Sequence, residues 1–236
     1  MIKAHKNIKT VCRIDPVSGE LRIRNLSIIS GSKNTETIHN EFGLKYNIDV
    51  SKAYFSPRLA TERMRITNLV KPEEVIVDMF TGVAPFSINI AKYANPRKIY
   101  AIDKNKYAIE YAKKNIRINN VLDKIEVIHS DAKKVDDILN EKNEKANRII
   151  MNLPFSAKSF LPYAFKISKE KIIIHYYDII KEEDINNRIK ELKKIAKVNK
   201  YKIINFNIRK IKTYSPREFY ICIDITAKKK KYADVA

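Results

Sequence analysis

Four apolar runs in this chain of 236 residues close on a polar side chain. "EEVIVD" ends on Asp78, "RKIYAID" on Asp103, "KIEVIHSD" on Asp131 and "NRIIMN" on Asn152. Strand interiors disfavour Asp and Asn, so at strand ends these residues either cap the next helix or face a ligand. A carboxylate at Asp103 can accept two hydrogen bonds from vicinal ribose hydroxyls. Its distance along the chain from Asp78 is close to the roughly 20 residues expected of a ribose-binding acid. Asn105 can assist or cap the helix that follows. Asp131 can accept from an adenine amino group, and Asp78 can help hold a cationic amino-acid moiety. In "VDMFTGVAPFS" Gly82 lets the backbone turn and approach a ligand. Ala84 breaks the GxGxxG pattern of dinucleotide binders, and the chain has no GxxxxGK[ST] phosphate loop. Capping explains each acid singly. Four polar strand ends in register build one site outside the carboxyl ends of the strands, where open α/β sheets bind ligands. The reading is a nucleoside-cofactor site.

Asn152 is followed by Leu153, Pro154 and Phe155. An amide offers one acceptor and a two-hydrogen donor, which complements a nucleobase edge. Pro154 keeps Leu153 extended and removes a backbone donor, so a flat group can lie close, and Phe155 adds an apolar wall.

The elements that must position these residues follow from periodicity. Residues 1–60 read as a small β-rich section: "LRIRNLSI" alternates with period two, and "ETIHNEFGLKYNIDV" is a hairpin turning near Glu41-Phe42-Gly43. The chain turns helical after Pro57. Over 61–236 strand and helix alternate, with "AKSFLPYAFKIS" a helix interrupted by Pro162 and two final strands close enough to pair. Alternation of this kind gives an α/β fold, a mostly parallel sheet with helices on both faces.

Lys and Arg number 47 against 27 acids, a formal charge of +20, and such a field draws polyanions. No apolar run reaches the roughly 18 residues of a membrane span, and the N-terminus lacks the apolar core of a signal peptide. The expectation is a cytoplasmic protein that avoids membranes. Cys12 and Cys222 have no CxxC spacing, and His5, His39, His129 and His175 form no metal pattern, so no metal is expected.

The blocks "AYFSPRLATERMRI", "VDMFTGVAPFSI", "AIDKNKYAIEYAKKNIRINN" and "RIIMNLPFSAKSFL" resemble the archaeal and eukaryotic tRNA (guanine-N1)-methyltransferases that act at position 37. "IIIHYYD", "TYSPREFYICIDI" and "GELRIRNLSIISG…TIHNEFGLKYNIDV" extend the likeness to about residues 15–226. It implies a Rossmann-like class I methyltransferase with a seven-stranded sheet, S-adenosylmethionine as cofactor, and the tRNA anticodon stem-loop as partner of a monomer. By the same resemblance Arg63, Phe80, Lys104, Ala132 and Asn152 join Asp78, Gly82, Asp103, Asn105 and Asp131 around the cofactor. Glu62 matches the family's general base. Arg22 matches an arginine that steadies the guanine, and Tyr54, Asn152 and Pro154 match the methyl-transfer pocket.

The chemistry asks for this set. Guanine N1 carries a proton in the neutral base, so a carboxylate must remove it as the bond to the methyl carbon forms. Negative charge then builds on O6, where an arginine stabilises it. The family commonly carries a further N-terminal domain that checks the outer corner of the tRNA. The β-rich section begins here almost at Met1, so weaker or less discriminating tRNA binding is expected. Ala84 stands where the family often has glycine, which predicts a slightly narrower cofactor loop. A sister family transfers the aminocarboxypropyl group of the same cofactor to a wyosine precursor, and a dual enzyme methylates that precursor as well as guanine. The intact Asn152-Leu153-Pro154 favours methyl transfer to guanine. Methylation of rRNA and a non-enzymatic RNA-binding module are the remaining alternatives, and the acidic strand ends argue against the module, since carboxylates do not help bind RNA.

Overall fold

The computed structural model describes residues 2, 5, 8–19 and 23–230. Strands β1 (Thr10–Ser18) and β2 (Ile23–Gly31) form an antiparallel hairpin of their own. β1 escapes a periodicity reading because Pro16 falls within it. The strand accommodates the proline at a register irregularity between Ile14 and Val17, where no ladder donor is needed. A second hairpin, β3 (Glu36–Glu41) and β4 (Leu44–Asp49), closes through Phe42 and Gly43. Both turn residues have positive φ, 47° and 74°, as the right-handed twist of a two-residue turn requires.

A 3-10 turn at Pro57–Leu59 leads into α1 (Ala60–Leu69). The α/β body then runs β5 (Val75–Asp78), α2 (Pro85–Tyr93), β6 (Lys98–Asp103), α3 (Lys106–Ile118), β7 (Ile125–His129), α4 (Val135–Glu141), β8 (Ala146–Met151), α5 (Ala157–Lys166), β9 (Ser168–Lys181) and α6 (Ile185–Val198). It ends with β10 (Tyr201–Ser215) and β11 (Glu218–Lys229). The seven strands lie in the order β10-β11-β9-β8-β5-β6-β7. β5 to β9 are parallel, and β11 and β10 turn back antiparallel, as the alternation and the close final strands predict. α5 runs unbroken through Pro162 rather than being interrupted there. Burial of Leu161, Ala164 and Phe165 outweighs the roughly 3 kcal/mol that an interior proline costs.

Period two divides the sheet's side chains between two cores. Val75, Val77, Tyr100, Ile102, Ile149, Met151, Ile223 and Ile225 pack on one face with α4, α5 and α6. Ile76, Ile99, Ala101, Ile150 and Tyr177 pack on the other with α2 and α3, and Leu44, Tyr46 and Ile48 of β4 belong to that same core. Asn115 of α3 and Asn119, which caps its C-terminus, replace a neighbouring strand for β4. Asn115 Oδ1 accepts from the Asn47 amide at 2.7 Å, and Asn119 Oδ1 accepts from the Lys45 amide at 3.0 Å. Their Nδ2 groups donate back to the same residues' carbonyls, so the edge of the hairpin is satisfied without a further strand.

α1 attaches differently, because it buries Glu62, Arg63 and Thr67 beside Ile66. The second face of the sheet answers with Arg148, His175 and Asp224, three charged or titratable side chains in a row. Arg148 donates from Nε to Glu74 at 2.7 Å and from Nη1 to His175 Nε2 at 2.8 Å. A guanidinium has no acceptor, so Nε2 must accept, and the ring proton sits on Nδ1, which donates to Asp224 Oδ1 at 2.6 Å. Asp224 takes a second bond from Arg65 Nη1 at 2.6 Å. Arg65 in turn holds Glu62 through Nε and Nη2 at 2.8 and 2.7 Å. Burial favours neutral His175 and lowers its pKa. Burial alone would raise Asp224, yet the bonds from His175 and Arg65 hold it well below the carboxylate range.

Asp78 ends β5 fully enclosed. Its Oδ2 accepts from Thr81 and Ser87, each at 2.8 Å, while Oδ1 has no partner. Burial pushes its pKa up from 3.8 to about 6 despite those two hydroxyls, and Asp103 nearby adds to the rise. A folded pKa above the unfolded one means that the stabilisation is full below about pH 4 and is lost as pH rises through about 6. Denaturant unfolding of the native protein and Asp78→Asn across that range should show it. The native protein's margin over the variant should shrink by about 3 kcal/mol from pH 4 to neutrality. A margin that does not change with pH would mean that Asp78 is ionised alike in both states.

Candidate active site

The order of strands reverses where β5 meets β8. Helices leave the two strands toward opposite faces there, and a crevice opens at their carboxyl ends. A cleft of about 960 Å³ fills this position, enough for a nucleoside cofactor with part of a second substrate. Among the sequence-predicted residues, Tyr54, Arg63, Phe80, Gly82, Asp103, Lys104, Asn105, Asp131, Ala132, Asn152 and Pro154 line it.

Asp103 sits on the floor at the end of β6. Its Oδ2 accepts from the Gly82 amide at 2.7 Å and its Oδ1 from the Asn105 amide at 2.9 Å. These bonds fix the carboxylate and tie the loop after β5 to the end of β6. Each oxygen keeps a second lone pair, so a pair of vicinal hydroxyls fits. Burial still raises its pKa despite both amides. Gly82 adopts φ +57°, and a Cβ there would meet the Tyr54 carbonyl at an ordinary 3.7 Å. The glycine therefore answers a demand of conformation rather than of space.

Ala84 corrects the expectation of a narrower loop. It takes the left-handed φ of 66° itself, is wholly buried in the second core and is not among the residues lining the cleft, so its methyl takes no room from a ligand. The backbone strain of about 1–2 kcal/mol is the cost of having no glycine there.

The remaining polar strand ends divide their work. Asn105 Oδ1 caps α3 by accepting from Tyr107 and Ala108, and its Nδ2 donates to the Lys52 carbonyl. That amide serves the helix start. Asp131 caps the 3-10 turn at Ala132–Lys134 through Oδ1, and its Oδ2 lies 3.9 Å from Lys104 Nζ. Phe80 and Phe160 meet edge to face at 5.0 Å beside Ala132, an apolar wall for a flat ring. Asn152 Oδ1 accepts from the Tyr220 hydroxyl, which turns the amide and leaves its two Nδ2 hydrogens as donors.

Arg63 lines the cleft as a buried ion pair. Its Nε donates to Glu41 Oε1 at 2.7 Å, Nη2 donates to Glu41 Oε2, and Nη1 donates to the Ser56 carbonyl at 3.2 Å. It thus anchors the segment that carries Tyr54. Glu62 points the other way and does not line the cleft. Its carboxylate is buried, accepting from Arg65 and from the Tyr177 hydroxyl at 2.8 Å. Asp78 is likewise beneath the cleft. Arg22 lies outside the described residues, while Ile14, Asp15 and Gly19 of the same hairpin reach the cleft. Residue types alone do not single out Phe160, Lys212, Tyr214 or Tyr220, which also line it. Tyr220 and Tyr214 fall inside the block "TYSPREFYICIDI", and that resemblance is the one signal for them.

His175, Cys222 and Asp224 approach closely enough to suggest ligands for a cation. Arg148 donates to His175, and Arg65 donates to both Cys222 and Asp224. A metal there would face two guanidinium charges, one buried and one half-buried, so the trio is part of the hydrogen-bonded network. No helix among the described residues is long and apolar enough to cross a membrane.

The TRM5/TYW2 methyltransferase domain family matches residues 37–204. The tRNA (guanine(37)-N(1))-methyltransferase Trm5b of Pyrococcus abyssi is 39% identical over 95% of this chain and 66% of its own length. Its namesake in Methanocaldococcus jannaschii is 43% identical over 92% of this chain and 60% of its own length. The chain therefore spans somewhat under two thirds of these relatives. The M. jannaschii tRNA(Phe) (4-demethylwyosine(37)-C(7)) aminocarboxypropyltransferase is 36% identical over 88% of this chain and 81% of its own length. Among solved structures, P. abyssi Trm5b superposes with a TM-score of 0.83 at 38% identity over 96% of this chain and 66% of that one. M. jannaschii TYW2 in complex with AdoMet gives 0.78 at 35% identity over 87% of this chain and 91% of that one. With a matched family and a shared fold of this extent, the chain belongs to the TRM5/TYW2 methyltransferase domain family.

Proposed function

We propose that this protein methylates N1 of guanosine 37 in tRNA with S-adenosylmethionine as donor, acting as a cytoplasmic monomer on the anticodon stem-loop. The observation that carries the reading is the convergence of Asp103, Asp131 and Asn152 on one cleft at the sheet's switch point. When bound, the cofactor supplies a sulfonium methyl that is already activated, so alignment is the protein's main contribution. Asp103 accepts from the ribose hydroxyls, and Asp131 accepts from the adenine amino group beside Phe80 and Ala132. Gly82, Lys104, Asn105, Arg63 and Asp78 shape the loops that enclose it. A relative solved with AdoMet and another solved with tRNALeu support the two ligands.

The target base enters between Tyr54, Asn152 and Pro154 after leaving its stack. Asn152 Nδ2 meets an acceptor on its edge. Glu62 takes the N1 proton, and Arg22 has, by the family resemblance, the role of stabilising the charge that builds on O6. For this step Glu62 exchanges its bonds to Arg65 and Tyr177 for one to the base, a rearrangement that substrate binding must drive. The β-rich section of residues 1–60 contributes the RNA side of the pocket.

A second reading has its own support. The aminocarboxypropyltransferase relative is matched over more of its length than the guanine methyltransferases are. The wyosine-precursor methyltransferase of Saccharolobus solfataricus is 31% identical over 76% of its length. Cofactor labelled in the methyl or in the carboxyl group, offered with tRNA transcripts bearing guanosine or adenosine at position 37 and with tRNA bearing the wyosine precursor, separates the activities. Methyl label at N1 of the guanosine transcript alone is expected. Carboxyl label on a precursor-bearing tRNA, with no methyl label on guanosine, would replace the first reading by the second.

Single-turnover kinetics of Glu62→Gln should show a chemical step slowed by roughly 100- to 10,000-fold with cofactor affinity preserved. A normal rate would remove Glu62 as the base. Calorimetry of Asp103→Ala should show cofactor binding weaker by about 1–3 kcal/mol, and unchanged affinity would place the cofactor away from β6.

A further inference from the structure

Phe155 follows Asn152-Leu153-Pro154 directly, and its backbone is left-handed, with φ +75°. A bulky side chain is rarely found there, and glycine would occupy the position without strain. Nor does core packing explain the residue, since 59% of Phe155 is exposed. Strain of this kind persists only where the surroundings impose it. The Phe155 backbone lies close enough to the Asp178 carboxylate to favour its charged form against burial. Asp178 is itself buried and held by the Tyr176 hydroxyl at 3.0 Å and by Arg188 Nε at 3.1 Å. The ring is thus presented outward from a strained backbone beside a buried carboxylate.

A second exposed aromatic waits beside it. Tyr214 of β10, the outer strand of the sheet, is 54% exposed. Its ring meets that of Phe155 at 5.6 Å and 75°. Contact at that angle uses the edge of one ring and leaves aromatic faces uncovered. Both residues line the cleft together with Arg58, Lys104, Lys133 and Lys212. An aromatic face framed by cations suits a planar ring carried on a phosphate backbone.

We propose that Phe155 and Tyr214 form a stacking platform at the mouth of the cleft that holds a nucleobase flanking the one extruded toward Asn152. Both are positioning residues, because the platform lies outside the group of side chains that touch the reacting atoms. Three residues of chain span at most about 10 Å, so a base on Phe155 and a base at Asn152 belong to near neighbours on one strand. The stacking rests on the proposed RNA substrate and adds the residues that register the strand on the cleft. It tolerates any base, since every base has a π face.

The test uses tRNA transcripts carrying 2-aminopurine on either side of nucleotide 37, bound to the full chain without cofactor. With the native protein the fluorescence of one flanking probe should be quenched. In Phe155→Ala and Tyr214→Ala the quench should be lost and RNA binding should weaken roughly 10-fold, with Phe155→Trp restoring both. Phe155→Gly separates the platform from a merely structural role. Relief of the left-handed strain should raise its melting temperature by a few degrees while RNA binding falls. Equal binding and equal quench in the alanine and glycine variants would overturn the platform while leaving the methylation reading intact. A Phe155-dependent quench in a protein that methylates no tRNA would sustain the platform and remove the reaction. A native protein that binds neither probe would overturn both.

Discussion

The structure turns on Arg65, whose guanidinium is divided between Glu62 on its own helix and Asp224 on β11. α1 has no apolar stripe able to seat it on the sheet, so direction comes from these charged hydrogen bonds. The chain of contacts runs from Glu74 through Arg148, His175, Asp224 and Arg65 to Glu62. Every member has its partner, which is the condition under which buried charge is tolerated. Removing one would strand another and cost several kcal/mol. The neighbouring residue, Arg63, pairs in the opposite direction with Glu41 of the β3–β4 hairpin. Arg63 and Arg65, two positions apart, thus clamp α1 between hairpin and sheet, and the segment from Tyr54 to Leu59 that borders the cleft follows from where the clamp holds it.

The same economy governs the cleft floor. Capping and ligand binding compete as explanations for acids at strand ends, but the geometry makes them compatible. Asp103 accepts from two backbone amides and still has lone pairs pointing elsewhere. Asp131 caps with one oxygen and keeps the other beside Lys104. Asn105 is the exception, because its Oδ1 serves the cap and its Nδ2 serves the Lys52 carbonyl. A carboxylate can hold a loop and a ligand at once, whereas an amide with both ends engaged has little left to offer.

The sheet and its order of polar ends were legible in the sequence because strand alternation and strand termini are local patterns. So was the Phe42-Gly43 turn. β1 was hidden by Pro16, which in isolation demotes a strand and in the fold sits at a register irregularity. The burial of Glu62 was hidden for a different reason. Periodicity reports apolar faces, and α1 is buried by charge pairs whose partners, Asp224 above all, lie more than 150 positions away. Tyr177 and Tyr220 share that difficulty: a tyrosine on a buried strand reads as core, and what distinguishes these two is the residue their hydroxyls reach, Glu62 and Asn152. Pairwise tertiary contacts of this kind leave no trace in spacing.

The cleft is lined by charges of both signs. Arg58, Lys104, Lys133 and Lys212 stand among the lining residues, and the chain as a whole is strongly basic, so a polyanion is drawn toward the opening. Asp103 and Asp131 contribute acceptors to the same cleft, and Asp78 lies buried and outside its lining. Phosphate gains nothing from carboxylates, while hydroxyl and amino groups do. In the proposed reaction the two kinds of group sort the two substrates: the carboxylates accept from the nucleoside cofactor, and the cations hold the RNA backbone. In that reading Asn152 offers the base an amide oriented by Tyr220, which accounts for an amide and a proline directly after the buried run Ile149-Ile150-Met151.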